Sequence, residues 1–539
     1  MSAANHWRAR AWGFLEEGVD FLIIGGGITG AGVFHEASLR GLRVGLVEKG
    51  DFASGTSSRS SKLIHGGLRY LKRLQLRITR MACRERDTLA LLNPHLVWPL
   101  RFVYPAYAND PTPGWQVALG LTMYDHLTPF RHQHQRLSAE EVHRLVPPLA
   151  KRGLEFGLAY DDCVADDAQL TWTVIKAGVR AGGVALNYAQ VEELLRDRQG
   201  QVRGAVVRDV PSGQARKVRA HVVINATGAW CDHVRALLGS VPSRLRPSRG
   251  SHLLFPRHRL PLSVAVTGLS PDDGRPVFAV PHPEGTLVGT TDLFHEGPLE
   301  NPKPSREEVH YLMRFVQHAF PQARLTLEDV CGAFAGVRPI VDSDADEPSE
   351  ASREEAVWVE EGMVSAAGGK LTTFRVTAAE VVAQALRLLP EERRPLDFDL
   401  SLATAVLPDR VAPEAVEALL AWGVEEVVAR GMVRRLGAQA LALAQGSDPE
   451  ALVPLEEQFG LCPAEIAYHL RASQVVRLSD VLLRRVRLGM WQPRECLEMA
   501  PRLRRVVRRA AGWSVRQWQQ ELEHLAEELK AWLPPEEAR

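Results

Sequence analysis

Residues 20–48 read DFLIIGGGITGAGVFHEASLRGLRVGLVE, and this stretch decides the fold. An apolar run ends in the glycine loop Gly25-x-Gly27-x-x-Gly30, a helical pattern follows, and a second apolar run ends in Glu48. This is the order of a strand, a phosphate-binding turn, a helix and a second strand that carries an acid. The glycines let the backbone approach a pyrophosphate, and the helix N-terminus offers N–H groups to it. The stretch therefore predicts a dinucleotide site in an α/β fold, with Glu48 accepting from ribose hydroxyls, but alone it does not decide between FAD and NAD.

Length and composition are those of an ordinary globular enzyme. The chain has 539 residues, enough for two or three domains, with 45% hydrophobic and 24% charged residues. Lys plus Arg and Asp plus Glu both number 65, so global charge indicates no nucleic-acid partner. The six cysteines are scattered without a CxxC, which favours a reducing cytosol. We find no secretory signal and no uncharged apolar window long enough to span a bilayer, so we expect any membrane contact to be peripheral.

The nucleotide-binding layer is predicted to be discontinuous. An apolar strand runs into Ala-Thr-Gly within HVVINATGAWCD (221–232), and another strand runs into a glycine pair and a helix at 364–380. Between them, short alternating runs over 245–345 indicate an antiparallel sheet. We expect residues 76–150 to be mostly helical and residues after 400 to form a helical domain. This interleaving favours FAD over NAD. The predicted bounds are 18–75, 150–245 and 345–395 for a Rossmann-like FAD-binding domain of the glutathione-reductase type, 76–149 and 246–344 for an antiparallel-sheet substrate or cap domain, and 400–539 for a C-terminal helical domain.

Several segments besides the glycine loop are candidates for the cofactor site. A hydroxyl-rich loop, 55–62, has groups that donate to a pyrophosphate, with a solvated turn as the alternative. The His-Gly-Gly at 65–67 suggests backbone pressed against a flat group, and the Gly-Gly-Lys-Leu-Thr at 368–372 suits the flavin edge that gains negative charge on reduction. The predicted cofactor-binding residues are Gly25, Gly27, Ile28, Thr29, Gly30, Glu48, Lys49, Thr56, Ser57, Ser58, Lys62, Leu63, His65, Gly66, Gly67, Ala226, Thr227, Gly228, Gly369, Lys370, Leu371 and Thr372.

Two further residues are candidates for the chemistry. His252 precedes an apolar strand and is either a structural histidine or a base for a hydroxyl under oxidation. Arg338, in Gly-Val-Arg-Pro, is suited to bind a phosphate or carboxylate. The histidines at 126, 132 and 134 lack a carboxylate or cysteine at ligand spacing, so the sequence predicts no metal site.

Taken together, the motifs resemble one family. IIGGGITGAG, SSRSSKLIHGGLRYL, MYDHL, INATGAW, RGSH, VGTTD, GVRP and GGKLTT resemble the FAD-dependent aerobic glycerol-3-phosphate dehydrogenases in order and spacing. The resemblance covers about residues 18–400, and SDVLLRRVRLGM (479–490) resembles the family's helical C-terminal domain. Thr29 stands where many members carry Asn, and Arg59 where a small residue is common.

The resemblance implies oxidation of sn-glycerol 3-phosphate to dihydroxyacetone phosphate, with hydride passing from C2 to flavin N5 and electrons to a membrane quinone. It implies that Arg69, Tyr70, His252, Arg338 and Lys370 bind the substrate, with His252, Arg338 and Lys370 as the catalytic set. Arg338 is the first candidate for the phosphate. His252 is the first candidate for the base, with Lys370 as the alternative.

Several alternatives remain open at the level of sequence. The same motifs would serve a glycerol-3-phosphate oxidase that uses O₂, an amine or amino-acid oxidase, or a flavin-binding regulatory or tRNA-associated module without turnover. The arginines of PRLRRVVRRAAGW indicate either contact with anionic lipids at the inner face of the cell membrane or a solvated helix face. The oligomeric state is open, with a homodimer as one alternative, and the expected location is the cytoplasm.

Overall fold

The computed structural model describes residues 3–67, 75–127, 133–342, 355–395, 414–456 and 459–536. Its strands are β1 (Val19–Ile24), β2 (Val44–Val47), β3 (Leu63–Ile64), β4 (Val97–Tyr107), β5 (Gln135–Ser138), β6 (Leu154–Ala165), β7 (Val184–Leu186), β8 (Ala189–Arg196), β9 (Val202–Asp209), β10 (Gln214–Asn225), β11 (Ser248–Pro256), β12 (Ala265–Leu269), β13 (Pro276–His282), β14 (Gly285–Gly289), β15 (Leu293–Phe294), β16 (Gly332–Arg338), β17 (Ala356–Glu360) and β18 (Met363–Ala367).

The helices divide between the two sheets and a C-terminal unit. They are α1 (Ala3–Glu16), α2 (Ile28–Leu39), α3 (Leu76–Leu92), α4 (Gly114–His126), α5 (Ala139–Leu145), α6 (Asp167–Arg180), α7 (Cys231–Arg235), α8 (Arg306–Ala319), α9 (Phe374–Leu388), α10 (Ala415–Ala421), α11 (Glu426–Leu436), α12 (Gln439–Gln445), α13 (Pro463–Ala472), a π-helical segment (Asp480–Arg485), α14 (Leu488–Trp491), α15 (Pro493–Met499), α16 (Arg504–Ala511) and α17 (Val515–Leu529).

The first sheet is the nucleotide-binding layer. Its order is β17-β18-β10-β1-β2-β7, and the neighbours from β18 to β7 are parallel. Every residue of β1 and β2 is buried, as expected of parallel strands covered on both faces. Helices α2, α6 and α9 contribute buried side chains to one core with these strands. The α/β class predicted from the glycine loop is confirmed.

The second sheet is almost wholly antiparallel. Its order is β15-β11-β14-β13-β12-β4-β6-β3, with β16 on β11 and β5 on β6, and only the β12–β4 pair is parallel. Strand β6 belongs to this sheet although it lies after the predicted boundary at residue 150. The domain bounds otherwise stay a prediction.

Residues 76–150 contain the expected helices, α3, α4 and α5, but also a long strand that the sequence pattern does not predict. They include β4, an 11-residue strand that pairs with β6 along its whole length. Its prolines, Pro99 and Pro105, argue against an inner strand because proline cannot donate to a ladder. The structure tolerates them because β12 pairs with β4 only at Phe102 and Val103. Pro99 and Pro105 lie outside that short pairing, so each of them has a single neighbouring strand, β6.

The C-terminal unit is helical, as the sequence predicts. Its buried side chains form one core with residues of the second sheet, including Leu254 and Phe334. The Trp532 ring lies 5.4 Å from the Phe334 ring, centroid to centroid. The C-terminal helices therefore pack directly beneath the strand that ends in Arg338.

Candidate active site

Three turns meet at one edge of the first sheet. Strands β1, β10 and β18 are parallel neighbours, so the turns that follow them lie side by side. A Cβ built on Gly25 would lie 2.6 Å from the Ala226 carbonyl oxygen, and one on Gly369 would lie 3.9 Å from Thr29 Oγ1. The structure thus brings together the segments that the sequence predicts to bind the cofactor.

The glycine loop has the geometry that its spacing predicts. Gly25 has a φ of +110°, which L side chains rarely adopt. A Cβ on Gly30 would lie 1.9 Å from the Gly25 carbonyl oxygen, so the helix can approach the turn only with glycine there. Gly27 is the N-cap residue of α2 and supplies no side-chain cap, while Ile28 N donates to Ser57 Oγ at 2.9 Å. This helix N-terminus suits a phosphate group.

Glu48 and Lys49 follow β2 at the same edge. Glu48 accepts from Gly26 N at 2.7 Å and from Gly50 N at 2.8 Å. Burial raises the pKa of Glu48, and the two N–H groups oppose that rise. Lys49 Nζ binds Glu300 Oε1 at 2.6 Å and lies 4.3 Å from the Trp230 ring centroid. These bonds fix the Glu48 carboxylate, and a ribose hydroxyl would have to share its oxygens with the Gly26 and Gly50 N–H groups.

The hydroxyl-rich loop is engaged by the protein on several sides. Thr56 Oγ1 donates to the Val337 carbonyl, and Ser58 Oγ to the Gly55 carbonyl at 3.4 Å. Lys62 is buried, and its Nζ donates to Asp167 Oδ1 at 2.7 Å. The cofactor contacts predicted for these residues stay a prediction. The solvated-turn alternative does not describe a loop in which Ser58 and Lys62 are buried.

The His65-Gly66-Gly67 segment lies next to the turn after β18. His65 N donates to Thr372 Oγ1 at 3.2 Å, which ties it to the Leu371–Thr372 end of the glycine–lysine turn. Gly66 N donates to Tyr124 Oη at 2.9 Å, and a Cβ on Gly66 would lie 2.3 Å from Cys83 Sγ. The glycine is thus required by a close approach to protein side chains.

Tyr124 belongs to a buried network that the sequence reasoning missed. Its hydroxyl donates to Asp162 Oδ1 at 2.9 Å, and Arg86 Nη1 donates to the same oxygen at 2.7 Å. Burial, reinforced by the Asp162 charge, raises the pKa of Tyr124, so the phenol stays protonated. The signal in the sequence was MYDHL (123–127), a family motif to which no role was assigned.

His252 lies inside the second sheet, on β11. Its Nε2 is 2.8 Å from Ser61 Oγ, and its ring stacks on Phe334 with centroids 4.8 Å apart. A Cβ on Gly289 would lie 2.2 Å from His252 Cδ2, so glycine makes room for the ring. His252 Nδ1 is buried without a hydrogen-bond partner among the described residues. Burial, then the Arg338 and Lys62 charges, holds the pKa of His252 well below 6.5.

Arg338 ends β16, beside β11. Its guanidinium lies 3.0 Å from Asp292 Oδ1 and 3.0 Å from Thr290 Oγ1, and 22% of the side chain is exposed. A Cβ on Gly250 would lie 2.1 Å from Arg338 Nη2. The arginine therefore lies flat over a glycine, held on one side by Asp292.

Lys370 lies in the turn between β18 and α9, where its carbonyl accepts from Thr373 N at 3.2 Å. Arg69 and Tyr70 lie outside the residues that the structure describes, so their predicted substrate contacts stay a prediction. The second sheet places His252 and Arg338 on the neighbouring strands β11 and β16, and Ser61 joins His252 to the nucleotide-binding loop. Sequence reasoning missed Ser61 because only its spatial position, and no spacing rule, connects it with a histidine 191 residues away.

Neither a metal cluster nor a membrane-spanning helix occurs among the described residues. No group of three or more His, Cys, Asp or Glu side chains in the described ranges is placed to hold a metal ion. His134 does have a carboxylate neighbour, since its Nδ1 lies 2.7 Å from Asp125 Oδ2. Among the described helices, none combines the length and the apolar character needed to cross a bilayer.

Comparison with known proteins agrees with this geometry. The family model for FAD dependent oxidoreductases matches residues 20–385, and the C-terminal domain of alpha-glycerophosphate oxidase matches residues 399–518. The chain is 36% identical to glycerol-3-phosphate dehydrogenase 2 of Mycobacterium bovis over 523 residues, covering 94% of this chain and 87% of the relative. It is 34% identical to the aerobic glycerol-3-phosphate dehydrogenase of Staphylococcus epidermidis over 488 residues, covering 86% of each.

Solved structures give the same result. The glycerol-3-phosphate dehydrogenase of Bacillus halodurans, complexed with FAD, superposes with a TM-score of 0.81 at 28% identity and 99% coverage of both chains. The L-alpha-glycerophosphate oxidase of Mycoplasma pneumoniae shares the fold, with a TM-score of 0.53 at 20% identity, covering 69% of this chain and 94% of that one. The chain therefore belongs to the family of FAD-dependent glycerol-3-phosphate dehydrogenases.

Proposed function

We propose that this chain oxidises sn-glycerol 3-phosphate to dihydroxyacetone phosphate, with His252 taking the hydroxyl proton and Arg338 binding the phosphate. The observation that carries the proposal is the pairing of a buried neutral histidine, bound to Ser61 of the nucleotide-binding loop, with an arginine at the end of the neighbouring strand. FAD, when bound, would supply the acceptor for the hydride that leaves the substrate C2.

The residues fit FAD. A Cβ on Gly25 would collide with the backbone of the turn after β10, and a Cβ on Gly30 would collide with the Gly25 carbonyl of the same loop. The N-cap residue of α2 is Gly27, which has no side chain to cover the helix N-terminus, and three strand-to-turn junctions open at one edge. Thr29, Gly369 and Lys370 would line the cofactor on the β18 side, and Ala226, Thr227 and Gly228 on the β10 side.

His252 has the protonation state that a base requires. A histidine with a pKa well below 6.5 is neutral at physiological pH and can accept a proton. Ser61 occupies Nε2, which leaves Nδ1 as the nitrogen that we propose accepts the substrate proton. With Nδ1 as the acceptor, Nε2 carries the ring hydrogen and donates it to Ser61 Oγ, because ring hydrogens are assigned from their partners.

Arg338 has the charge that a phosphate requires. A guanidinium matches phosphate oxygens in a planar, two-contact geometry. Asp292 neutralises part of its charge, so a dianionic phosphate needs further cations, and we assign this role to Arg69 and Lys370, with Tyr70 as a further hydrogen-bond partner.

Anaerobic titration of the flavin absorbance tests cofactor and substrate together. We expect sn-glycerol 3-phosphate to bleach the flavin, glycerol to do so only at much higher concentration, and sarcosine to have no effect. Bleaching by sarcosine alone would identify an amine oxidase, and no bleaching by any of the three would indicate a module without turnover.

We further propose membrane quinone as the electron acceptor, because the curated relatives are dehydrogenases by name. Oxygen is the competing acceptor, because the family model that matches the C-terminal unit is named for an oxidase. The peroxide yield in air, compared with the rate of reduction of a soluble quinone analogue, separates the two. One peroxide per substrate in the presence of the quinone would overturn the dehydrogenase assignment.

We also propose peripheral contact with the inner face of the cell membrane through α16. Arg504, Arg505, Arg508 and Arg509 are exposed on this helix, while Val507 is buried beneath it. Sedimentation with vesicles that contain anionic lipid tests the contact, with neutral vesicles as the control. Light scattering on the protein without vesicles decides between a monomer and a homodimer.

A further inference from the structure

The segment Ser58–Lys62 joins the nucleotide-binding loop to the substrate sheet. Ser61 binds His252, while its neighbours on both sides turn to a different partner, Asp167 at the start of α6. Lys62 has a φ of +59°, a left-handed conformation that costs a non-glycine residue energy and persists only where the surroundings fix it. The surroundings of this segment therefore decide where the Ser61 hydroxyl lies.

Asp167 is the hub of those surroundings. Its side chain is fully buried. Its Oδ2 accepts from Ser60 N at 3.1 Å and Ser60 Oγ at 2.7 Å, and its Oδ1 accepts from Lys62 Nζ at 2.7 Å. Burial alone would raise the pKa of Asp167, but the Lys62 and Arg487 charges outweigh it and hold the pKa below its ordinary value. The carboxylate is ionised and holds the residues on both sides of Ser61.

Arg487, which comes from the C-terminal unit, also binds Asp167. It lies three residues before Met490, in the turn between the π-helical segment and α14, with a φ of +67°. Its Nη2 donates to Asp167 Oδ1 at 3.0 Å and to the Ser58 carbonyl at 3.1 Å. Only 3% of its side chain is exposed. One guanidinium thus binds both Ser58, the first residue of the segment, and Asp167. Asp167 in turn binds Ser60 and Lys62.

Two further arginines of the motif SDVLLRRVRLGM (479–490) bind Asp51, which precedes the hydroxyl-rich loop. Arg485 makes a two-contact ion pair with Asp51, with both distances 2.9 Å, and Arg484 Nε lies 2.7 Å from Asp51 Oδ2. We call Arg484, Arg485 and Arg487 the arginine clamp. It holds the chain at Asp51, before the hydroxyl-rich loop, and at Ser58, within that loop.

We propose that Arg487 is a positioning residue for the oxidation, which acts through Asp167 and the Ser58 carbonyl to hold Ser61 against His252 Nε2. The inference rests on the proposed role of His252. The Ser61–His252 bond is 2.8 Å long, so a shift of about 1 Å in the segment breaks it, and misplacements of that size cost about 10²-fold in rate. The C-terminal unit thereby reaches the reaction without touching substrate or cofactor.

The test uses the FAD-loaded, full-length protein in anaerobic stopped flow with sn-glycerol 3-phosphate. Arg487→Met and Ser61→Ala are each expected to lower the limiting rate of flavin reduction at least about tenfold while the substrate Kd changes less than about twofold. The double variant is expected to be no slower than the slower single variant, because both changes break the same bond.

Arg435→Met is the matched control. Arg435 is as buried as Arg487 and binds Glu465 Oε1 at 2.6 Å, but this pair lies wholly within the C-terminal unit. The control should lower the melting temperature and leave the limiting rate at the wild-type value. Arg487→Lys keeps the charge without the two-contact geometry. It should fold and reduce flavin at an intermediate rate, which keeps the test valid if the Met variant does not fold.

The pH profile gives a second readout. The charged groups that face His252 are Arg338, Lys62 and Asp167. Loss of Arg487 leaves Asp167 with one cation fewer, so the pKa of His252 should rise and the acid limb of the limiting rate should move to higher pH. Arg435→Met should leave that limb in place.

Two results would overturn the inference separately from the proposed function. If His252→Ala reduces flavin at the wild-type rate, the base assignment fails and the inference fails with it. If His252→Ala is slow but Arg487→Met and Arg487→Lys are as fast as wild type, only the positioning role is refuted. The same holds if the fall in limiting rate of the double variant equals the product of the falls in the two single variants.

Discussion

The phosphate role of Arg338 gives the sharpest quantitative prediction. In Arg338→Met the guanidinium is lost, and a substrate phosphate would face Thr290 and Asp292 without it. Removing one partner of a charge-assisted contact costs about 2–5 kcal/mol. Asp292 already neutralises part of the Arg338 charge and 22% of the side chain is exposed, so we expect the lower half of that range.

At 1.4 kcal/mol for each factor of ten, a cost of about 2–3 kcal/mol corresponds to a fall of roughly 30- to 150-fold in kcat/KM. Most of the fall should appear in KM. Steady-state kinetics with sn-glycerol 3-phosphate and a quinone analogue measure it. Glycerol as substrate should show no such fall, since it carries no phosphate.

Two variants sharpen the result. Gly250→Ala keeps the arginine but puts a Cβ 2.1 Å from its Nη2, so the guanidinium must move and KM should rise in the same direction. Arg314→Met removes an exposed arginine, paired with Asp272, from the same part of the chain and should leave kcat/KM unchanged. An unchanged KM in Arg338→Met, or an equal loss with glycerol, would refute the phosphate assignment.

Three further predictions follow from the site. Gly30→Ala should abolish FAD binding, because the added Cβ would lie 1.9 Å from the Gly25 carbonyl oxygen, whereas Gly120→Ala, with nothing within 4 Å, should retain full flavin absorbance per protein. The limiting rate of flavin reduction should not fall between pH ~8 and ~6 on account of His252, whose pKa lies well below 6.5, and in Arg338→Met the acid limb should move to higher pH because one facing cation is gone. Tyr124→Phe should lower the free energy of unfolding by about 1–3 kcal/mol in a urea titration, since Gly66 N loses its buried acceptor; a stability equal to wild type would contradict this role.

The nucleotide-binding layer could be predicted from short-range sequence patterns. The glycine spacing, the apolar runs around it and Glu48 are local features, because each depends on residues within one strand–turn–helix unit. The strands within 221–232 and 364–380 could also be predicted, because an apolar run that ends in glycine or Ala-Thr-Gly before a helix is typical of a strand at a nucleotide-binding edge. Strand β4 could not, because its prolines contradict an inner strand unless the partial pairing with β12 is known.

The sequence by itself determined the α/β class, the dinucleotide edge and the family resemblance, since these depend on residues close together in the chain. Only the tertiary structure decided that Ser61 meets His252, that Tyr124 braces Gly66, and that the C-terminal arginines hold Asp51 and Asp167. The physical reason is that a buried charge or polar group is stable only with a partner, and the partner can lie anywhere in the chain. Arg487 and Asp167, 320 residues apart, are such a pair.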